Sequence, residues 1–201
     1  MGHYYSEKPD VASEPEKVVV TVRGQDLSFK SDRGVFSKGD LDYGTRVLLE
    51  AFEFPEEEGP IADIGCGWGP IGISLAKEAP GRTFVMVDIN ERAVNLAREN
   101  ANQNQVDNVR IKESMLFSEI KDERYAAVLT NPPIRAGKQT VHQLFEEAYE
   151  QLKENGELWV VIQKKQGAPS AKKKLEELFG AGEVEVPIKD KGYFILRCKK
   201  H

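Results

Sequence analysis

The sequence predicts an α/β fold: a doubly wound, mostly parallel sheet with a final antiparallel strand, preceded by a small N-terminal β-hairpin extension. Three observations carry this reading. Short β-branched or apolar runs at Ile61 to Ile64, Thr83 to Ile89, Val109 to Lys112 and Tyr125 to Thr130 alternate with stretches of helical periodicity, the pattern of strand–helix–strand units. Leu158-Trp159-Val160-Val161-Ile162 is apolar on both faces, as a central strand covered from both sides must be. Glu183 to Ile188 and Tyr193 to Cys198 are joined only by Lys189-Asp190-Lys191-Gly192, too short for a crossover, so these two strands form an antiparallel hairpin.

Composition bounds the answer. The 201 residues suit one domain with a small appendage, and 40% hydrophobic residues suffice for a real core. No stretch is long enough to span a bilayer and no apolar signal core opens the chain, so no membrane role is expected. Two cysteines, Cys66 and Cys198, are not a disulfide framework; a reduced, cytoplasmic protein is the expectation. The net charge of −5 gives no global sign of nucleic-acid binding. Lysines nevertheless crowd the C-terminal third, at 164–165, 172–174, 189, 191 and 199–200, and together they allow a local basic patch on an acidic protein.

Three segments follow from the order of signals. Residues 1–16 are polar and proline-bearing and are expected to be flexible. Residues 17–58 read as an extension too small for a core of its own. It begins with the strand Lys17 to Arg23, a Gly24-Gln25-Asp26 turn and the return strand Leu27 to Lys30. A glycine-rich passage from Gly34 to Gly44 follows, then a short helix capped by Thr45 and running through Phe52. Residues 59–201 form the main domain. There Pro70 suits the first turn of a helix reaching about Glu78, and Asn90 opens the next. Val141, Leu144, Phe145, Ala148 and Leu152 share a helical face that Asn155-Gly156 is expected to end. Ser170 to Phe179 is a lysine-studded helix.

In a doubly wound sheet the ligand lies beyond the strand C-termini. The loops to read are therefore Asp63 to Gly69, Asp88 to Asn90, Ser114 to Phe117 and Asn131 to Gly137. The first is Asp63-Ile64-Gly65-Cys66-Gly67-Trp68-Gly69, whose glycines let main-chain N–H groups approach a ligand. Asp63 would repel a pyrophosphate and suits an ammonium or sulfonium group. A nicotinamide dinucleotide is thereby disfavoured and S-adenosylmethionine favoured. Cys66 and Trp68 read as loop packing. Asp88 reads equally as an acceptor for ribose hydroxyls or as the opening of the next helix. Asn131-Pro132-Pro133 is a rigid turn, and after a strand it can also offer two acceptors, the Asn131 side-chain carbonyl and the Pro132 main-chain carbonyl, to a planar amino group. His3, His142 and His201 are scattered, so neither a metal site nor a hydrolytic triad is expected.

Taken together, the glycine loop, Asp88 and Asn131-Pro132-Pro133 resemble class I S-adenosylmethionine-dependent methyltransferases of the Asn-Pro-Pro group, which have a Rossmann-like fold. The segment Gly34 to Gly44, with Val35-Phe36-Ser37 at its centre, is similar to the small-domain methyltransferases that modify guanine N2 of 16S ribosomal RNA. Asn131 to Lys138 and Gly192-Tyr193-Phe194 are similar to that family as well. The resemblance implies that Asp63, Gly65, Cys66, Gly67 and Gly69 hold the methionine part of S-adenosylmethionine. It assigns Asp88 with Ile89 to the ribose, Ser114-Met115 to the adenine edge, and Phe36-Ser37 to closure over the methionine end. Asn131, Pro132 and Pro133 would position the amino group that receives the methyl. Ribosomal RNA or the small subunit is the partner so implied; adenine N6, a release-factor glutamine, or a non-catalytic binding role are the alternatives. Two departures matter. Ile134 stands where many Asn-Pro-Pro enzymes carry an aromatic that stacks on a flipped base. The second, inactive domain copy that the ribosomal enzymes often carry is not among these 201 residues, so RNA contacts are expected from the C-terminal lysines with Arg135 and Lys138, or from a homodimer.

Overall fold

The computed structural model describes residues 8–37 and 39–201. The first seven residues, with His3 and part of the segment read as flexible, lie outside them, as does Lys38.

Strands β1 (Glu16–Val22) and β2 (Gln25–Ser31) pair antiparallel. The turn is Arg23-Gly24, both with left-handed φ (51° and 71°), so Gln25 and Asp26, expected in the turn, already belong to β2. Two left-handed residues match the twist of a tight hairpin. Alternation then buries Val18, Val20, Val22, Leu27 and Phe29 against the main domain.

Helix α1 (Tyr43–Ala51) starts earlier than expected. Its cap is Asp42, whose side chain accepts the Thr45 N–H at 2.9 Å, whereas Thr45 itself lies buried within the helix. Gly44, the last residue of the glycine-rich passage, lies inside this helix and permits close packing. A Cβ at this position would meet the Tyr193 ring at 2.5 Å.

The main domain runs β3 (Ile61–Ile64), α2 (Pro70–Glu78), β4 (Phe84–Asp88), α3 (Glu91–Gln103), β5 (Val109–Glu113), β6 (Tyr125–Thr130), α4 (Lys138–Gln151), β7 (Leu152–Gln163), α5 (Ala168–Phe179), β8 (Val184–Asp190) and β9 (Tyr193–Lys199). The sheet order is β5-β4-β3-β6-β7-β9-β8. The first five strands are parallel, and β9 is antiparallel to both its neighbours. The fold class is the one expected, and the winding reverses between β3 and β6. One face carries the hairpin with α1, α2 and α3 over Phe29, Phe52, Trp68 and Trp159; the other carries α4 and α5 over Leu144, Phe145 and Leu175.

Two further boundaries differ from the sequence reading for reasons the packing gives. Helix α4 ends at Gln151 and the chain goes straight into β7. Asn155 (φ 63°) and Gly156 sit inside that strand, beside a register shift opposite Tyr125 and Ala127. Gly156 is required there because a Cβ would stand 2.9 Å from the Lys153 carbonyl and 3.0 Å from that of Tyr125. The β8–β9 turn is only Lys191-Gly192, since Asp190 and Lys189 already pair with Tyr193 and Phe194. The antiparallel edge is locked by Glu157, a buried carboxylate that accepts from Arg197 at 2.7 Å and from the Trp159 indole at 2.9 Å.

Candidate active site

At the carboxyl ends of β3, β4 and β6 a cavity of about 270 Å³ opens. It sits where the winding reverses, the usual place for a ligand in such a sheet. The β3–α2 loop forms its floor, hooked to β4 by the N–H groups of Gly65 and Cys66, both donating to the Val87 carbonyl at 2.9 Å. Gly65 (φ 74°) and Gly67 (φ 56°) both line the cavity, and a Cβ on either would meet no atom within 4 Å. Side chains there would occupy the cavity, so the glycines keep it open. Gly69, by contrast, is outside the lining; a Cβ there would strike Ile73 at 2.5 Å, so this glycine serves helix packing.

Asp88 lines the cavity, and its carboxylate ties the glycine loop to the start of the next helix. One oxygen accepts the Gly67 N–H at 2.9 Å, fastening the glycine loop. The other accepts the Asn90 N–H at 2.9 Å, and Asn90 in turn caps α3. Burial pushes the carboxyl up to about 6 against the pull of those main-chain N–H groups. Asp63 is not in the lining but directly beneath the loop, fully buried. One oxygen accepts the Gly72 N–H at 2.9 Å and the other, Oδ1, has no hydrogen-bond partner. Burial raises its carboxyl to about 7, with the neighbouring Asp88 adding to the rise. Cys66 is buried among the same groups, and burial with the two carboxylates drives its thiol far above the ordinary value. It is therefore no nucleophile.

The N-terminal extension supplies the rim. The Trp68 indole N–H donates to the Phe36 carbonyl at 3.0 Å, and the Asn90 side chain donates to the Gly34 carbonyl at 2.8 Å. Phe36 is 39% exposed at the mouth. Ser37, also in the lining, adopts a left-handed φ of 60° and donates from its hydroxyl to the Asp40 carbonyl at 2.5 Å. After β5, Ser114 is buried and lines the cavity with its hydroxyl donating to the Leu116 carbonyl at 2.8 Å. Met115 is 47% exposed and outside the lining. Leu116, with a left-handed φ of 50°, lines the cavity instead.

Asn131, Pro132 and Pro133 form the opposite side, with Ile134 and Arg135 next to them. The Pro132 carbonyl accepts the Ile134 N–H at 2.8 Å around Pro133 (φ −75°, ψ 76°), an inverse γ-turn that leaves one carbonyl lone pair open. The Asn131 side-chain NH2 donates to the Asp42 carboxylate at 2.9 Å and to the Thr45 hydroxyl at 3.0 Å. These two partners, with Gln163 and Tyr193 on the same lining, were missed in the sequence. Thr45 carried only a capping signal, Asp42 stood within the glycine-rich passage, and Gln163, following an apolar run, gave no ligand signal. The Gln163 side-chain oxygen is buried without a partner.

The arrangement thus joins a glycine-floored, carboxylate-backed half to a half bearing fixed amide and main-chain acceptors. Among the described residues no three histidine, cysteine or acidic side chains gather as a metal site would need, and no helix is long and apolar enough to cross a membrane.

Comparison with known proteins agrees with this geometry. The chain is 56% identical over 199 residues to the uncharacterized protein YbxB of Bacillus subtilis, covering 98% of each. It is 31% identical over 185 residues to the ribosomal RNA small subunit methyltransferase C of Vibrio cholerae, covering 90% of this chain and 52% of that one. The Escherichia coli protein of the same name is 32% identical over 162 residues, with 79% of this chain and 46% of that one covered. The chain thus spans about half the length of these methyltransferases. Among solved structures, a T. thermophilus 16S rRNA N2 methyltransferase in complex with AdoMet and guanosine superposes with a TM-score of 0.83 at 24% identity, over 96% of this chain and 52% of that one. The profile described as "Methyltransferase small domain" matches residues 26–197, and the chain belongs to that family, whose methyl donor is S-adenosylmethionine.

Proposed function

We propose that this protein transfers a methyl group from S-adenosylmethionine to an exocyclic amino nitrogen of RNA, with guanine N2 of small-subunit ribosomal RNA as the acceptor. The observation that carries the proposal is the meeting, in one cavity, of the Gly65–Gly67 floor with the fixed acceptors of Asn131 and Pro132. The floor fits the cofactor on its own evidence. It offers a cradle that a Cβ would fill, above a buried carboxylate with an unpaired oxygen, Asp63 Oδ1. An unpaired buried anion attracts a cationic ligand strongly because little water screens it.

Gly65, Cys66 and Gly67 would hold the methionine end, Asp88 with Ile89 the ribose, Ser114 the adenine edge, and Phe36 with Ser37 the lid over the sulfonium side. Gly69 and Met115, both outside the lining, would act through the loop conformation rather than by contact. When bound, the cofactor supplies an electrophilic methyl group on a positively charged sulfur. The protein's own part is to orient and polarise the amine. The Asn131 side-chain carbonyl and the open lone pair of the Pro132 carbonyl accept its two N–H bonds, which aims the nitrogen lone pair and raises its electron density. Proline at 132 and 133 keeps both acceptors rigid, so catalysis is positioning and electrostatics.

The amino acceptor of RNA is favoured by the names of the relatives and by a basic cleft at the cavity's edge. Gln163 lines both the cavity and this cleft, whose other walls are Lys164, Lys165, Lys191 and Gly192. The deciding experiment offers labelled cofactor with small subunits, naked rRNA, DNA and release factor side by side. Label in small-subunit RNA, recovered as N2-methylguanine, is the expected result. Label in DNA or protein alone would move the activity to another acceptor, and no cofactor binding by calorimetry would end the enzyme reading.

A further inference from the structure

We propose that Asp42 and Thr45, on the N-terminal extension, are positioning residues that set the orientation of the Asn131 amide; this rests on the reading of Asn131 as an acceptor for the target amine.

An asparagine side chain can present either its carbonyl or its NH2 by rotating half a turn about its last bond. Only one orientation can accept from an amino group; the other would set donor against donor. Something must therefore choose. In this structure both N–H groups of Asn131 are committed to α1, one to the Asp42 carboxylate at 2.9 Å and one to the Thr45 hydroxyl at 3.0 Å. A carboxylate can only accept, so the flipped amide would place oxygen against oxygen there. The carboxylate is itself fixed, because the same oxygen takes the Thr45 N–H as the cap of α1. Thr45 is 3% exposed, with Leu48 and Leu49 seating the helix beneath it. A charged acceptor on an amide N–H also polarises the amide towards its oxygen, which strengthens that oxygen as an acceptor.

Access for this contact is built into the packing. The first turn of α1 comes close enough only because Gly44 has no Cβ to meet Tyr193, and Tyr43 ties the same turn to the β8–β9 hairpin through its hydroxyl on Asp190 at 2.5 Å. The extension is therefore part of the reaction machinery as well as the rim of the cavity.

Asp42→Asn tests this without removing the cap, since asparagine caps helices as well as aspartate does. Its amide carries no charge, so the oxygen that caps α1 holds the Asn131 NH2 more weakly and no longer polarises it. Thr45→Val removes the second acceptor at constant shape, and Thr45→Ser retains it. We expect Asp42→Asn and Thr45→Val each to lower kcat by about tenfold or more while cofactor Kd, KM and Tm stay near wild type, and Thr45→Ser to restore kcat. Unchanged kcat in both variants, a loss that tracks Kd or Tm, or a Thr45→Ser variant as slow as Thr45→Val would overturn the proposal. A substrate-free readout separates this from the acceptor assignment. In the 15N–1H spectrum the Asn131 side-chain amide should give one slowly exchanging NH2 pair, shifted and faster-exchanging in Asp42→Asn and Thr45→Val. If no acceptor is methylated by the wild type, the proposed function falls. Asn131 amide signals identical in wild type and both variants would overturn the positioning role whatever the acceptor.

Discussion

The indole N–H of Trp68, in the glycine loop, donates to the main-chain carbonyl of Phe36, in the extension, across 3.0 Å. Thirty-odd residues of chain separate them, and the contact joins the floor of the cavity to its rim. Trp68 is fixed from behind by Phe29, an edge-to-face pair at 4.9 Å, and by the Asn100 side chain donating to its carbonyl at 2.7 Å. Trp68→Phe keeps an aromatic ring at this position and deletes the donor. A lost hydrogen bond of about 1 kcal/mol should weaken cofactor binding roughly fivefold with little change in the fold. Calorimetry and circular dichroism measure both. A cofactor Kd equal to that of wild type would show that the rim does not depend on this bond.

The two buried carboxylates make stability depend on pH with a definite sign. Asp63 and Asp88 have folded-state values raised from 3.8 to about 7 and about 6 by burial. Raised folded values mean that the folded state holds protons that the unfolded chain has already lost. Their contribution is present below about pH 4 and is lost as pH rises through 6 to 7. Asp32 opposes this at the acid end, since hydrogen bonds from Ser13, Glu14 and Arg33 outweigh its burial and lower its value. Comparing variants isolates the effect. In urea unfolding between pH 5 and pH 8, the ligand-free wild type should lose more stability than Asp63→Asn. A cationic ligand favours the ionised pair, so cofactor affinity should rise over the same range. Parallel pH profiles for the two proteins would refute the assignment of the slope to Asp63.

Asn131→Ala should separate binding from chemistry. The Asn131 side chain lies on the side of the cavity proposed for the amino group, opposite the Gly65–Gly67 floor, so we expect near-normal cofactor affinity and a turnover loss of roughly a hundredfold or more. Single-turnover transfer at saturating cofactor reads this directly. Turnover within a factor of two of wild type would remove Asn131 from its role as acceptor.

Much of the architecture was legible because it rests on local regularities. The strands of the sheet announce themselves by apolar runs, and the glycine loop and Asn131-Pro132-Pro133 by their place after such runs. What was not legible depends on contacts distant in sequence. The close seating of α1 depends on Gly44 facing Tyr193, and the strand placement of Asn155-Gly156 on the carbonyl of Tyr125. A helix stop and a bulge have the same residue signature until the partner strand is known. Leu116 rather than Met115 lines the cavity, and its left-handed φ is one that no side-chain preference foretells. The Asp42–Asn131 bond spans 89 positions, and only the folded sheet brings those ends together.

The basic cleft yields the last expectation. Lys164 and Lys165 follow β7 and stand exposed, and the Lys164 N–H is held by the Gly192 carbonyl at 2.8 Å, which places both beside Lys191 on the β8–β9 turn. Among the described residues no carboxylate pairs with the side chain of Lys164 or Lys165, whereas Lys174, Lys153 and Lys172 each have an acidic partner. Unpaired lysines beside a cavity, on a chain of net charge −5, suit the phosphates that flank a nucleotide drawn into it. Each phosphate contact to a single strand contributes about 0.7 to the slope of log affinity against log salt. Replacing Lys164 and Lys165 together by glutamate should therefore reduce that slope by about 1.4, weaken RNA binding, and leave cofactor affinity unchanged. Fluorescence anisotropy with a labelled RNA at several salt concentrations gives the slope. An unaltered slope would place the RNA on another face, and a parallel loss of cofactor binding would mean that the double substitution disturbs the β7–α5 turn itself.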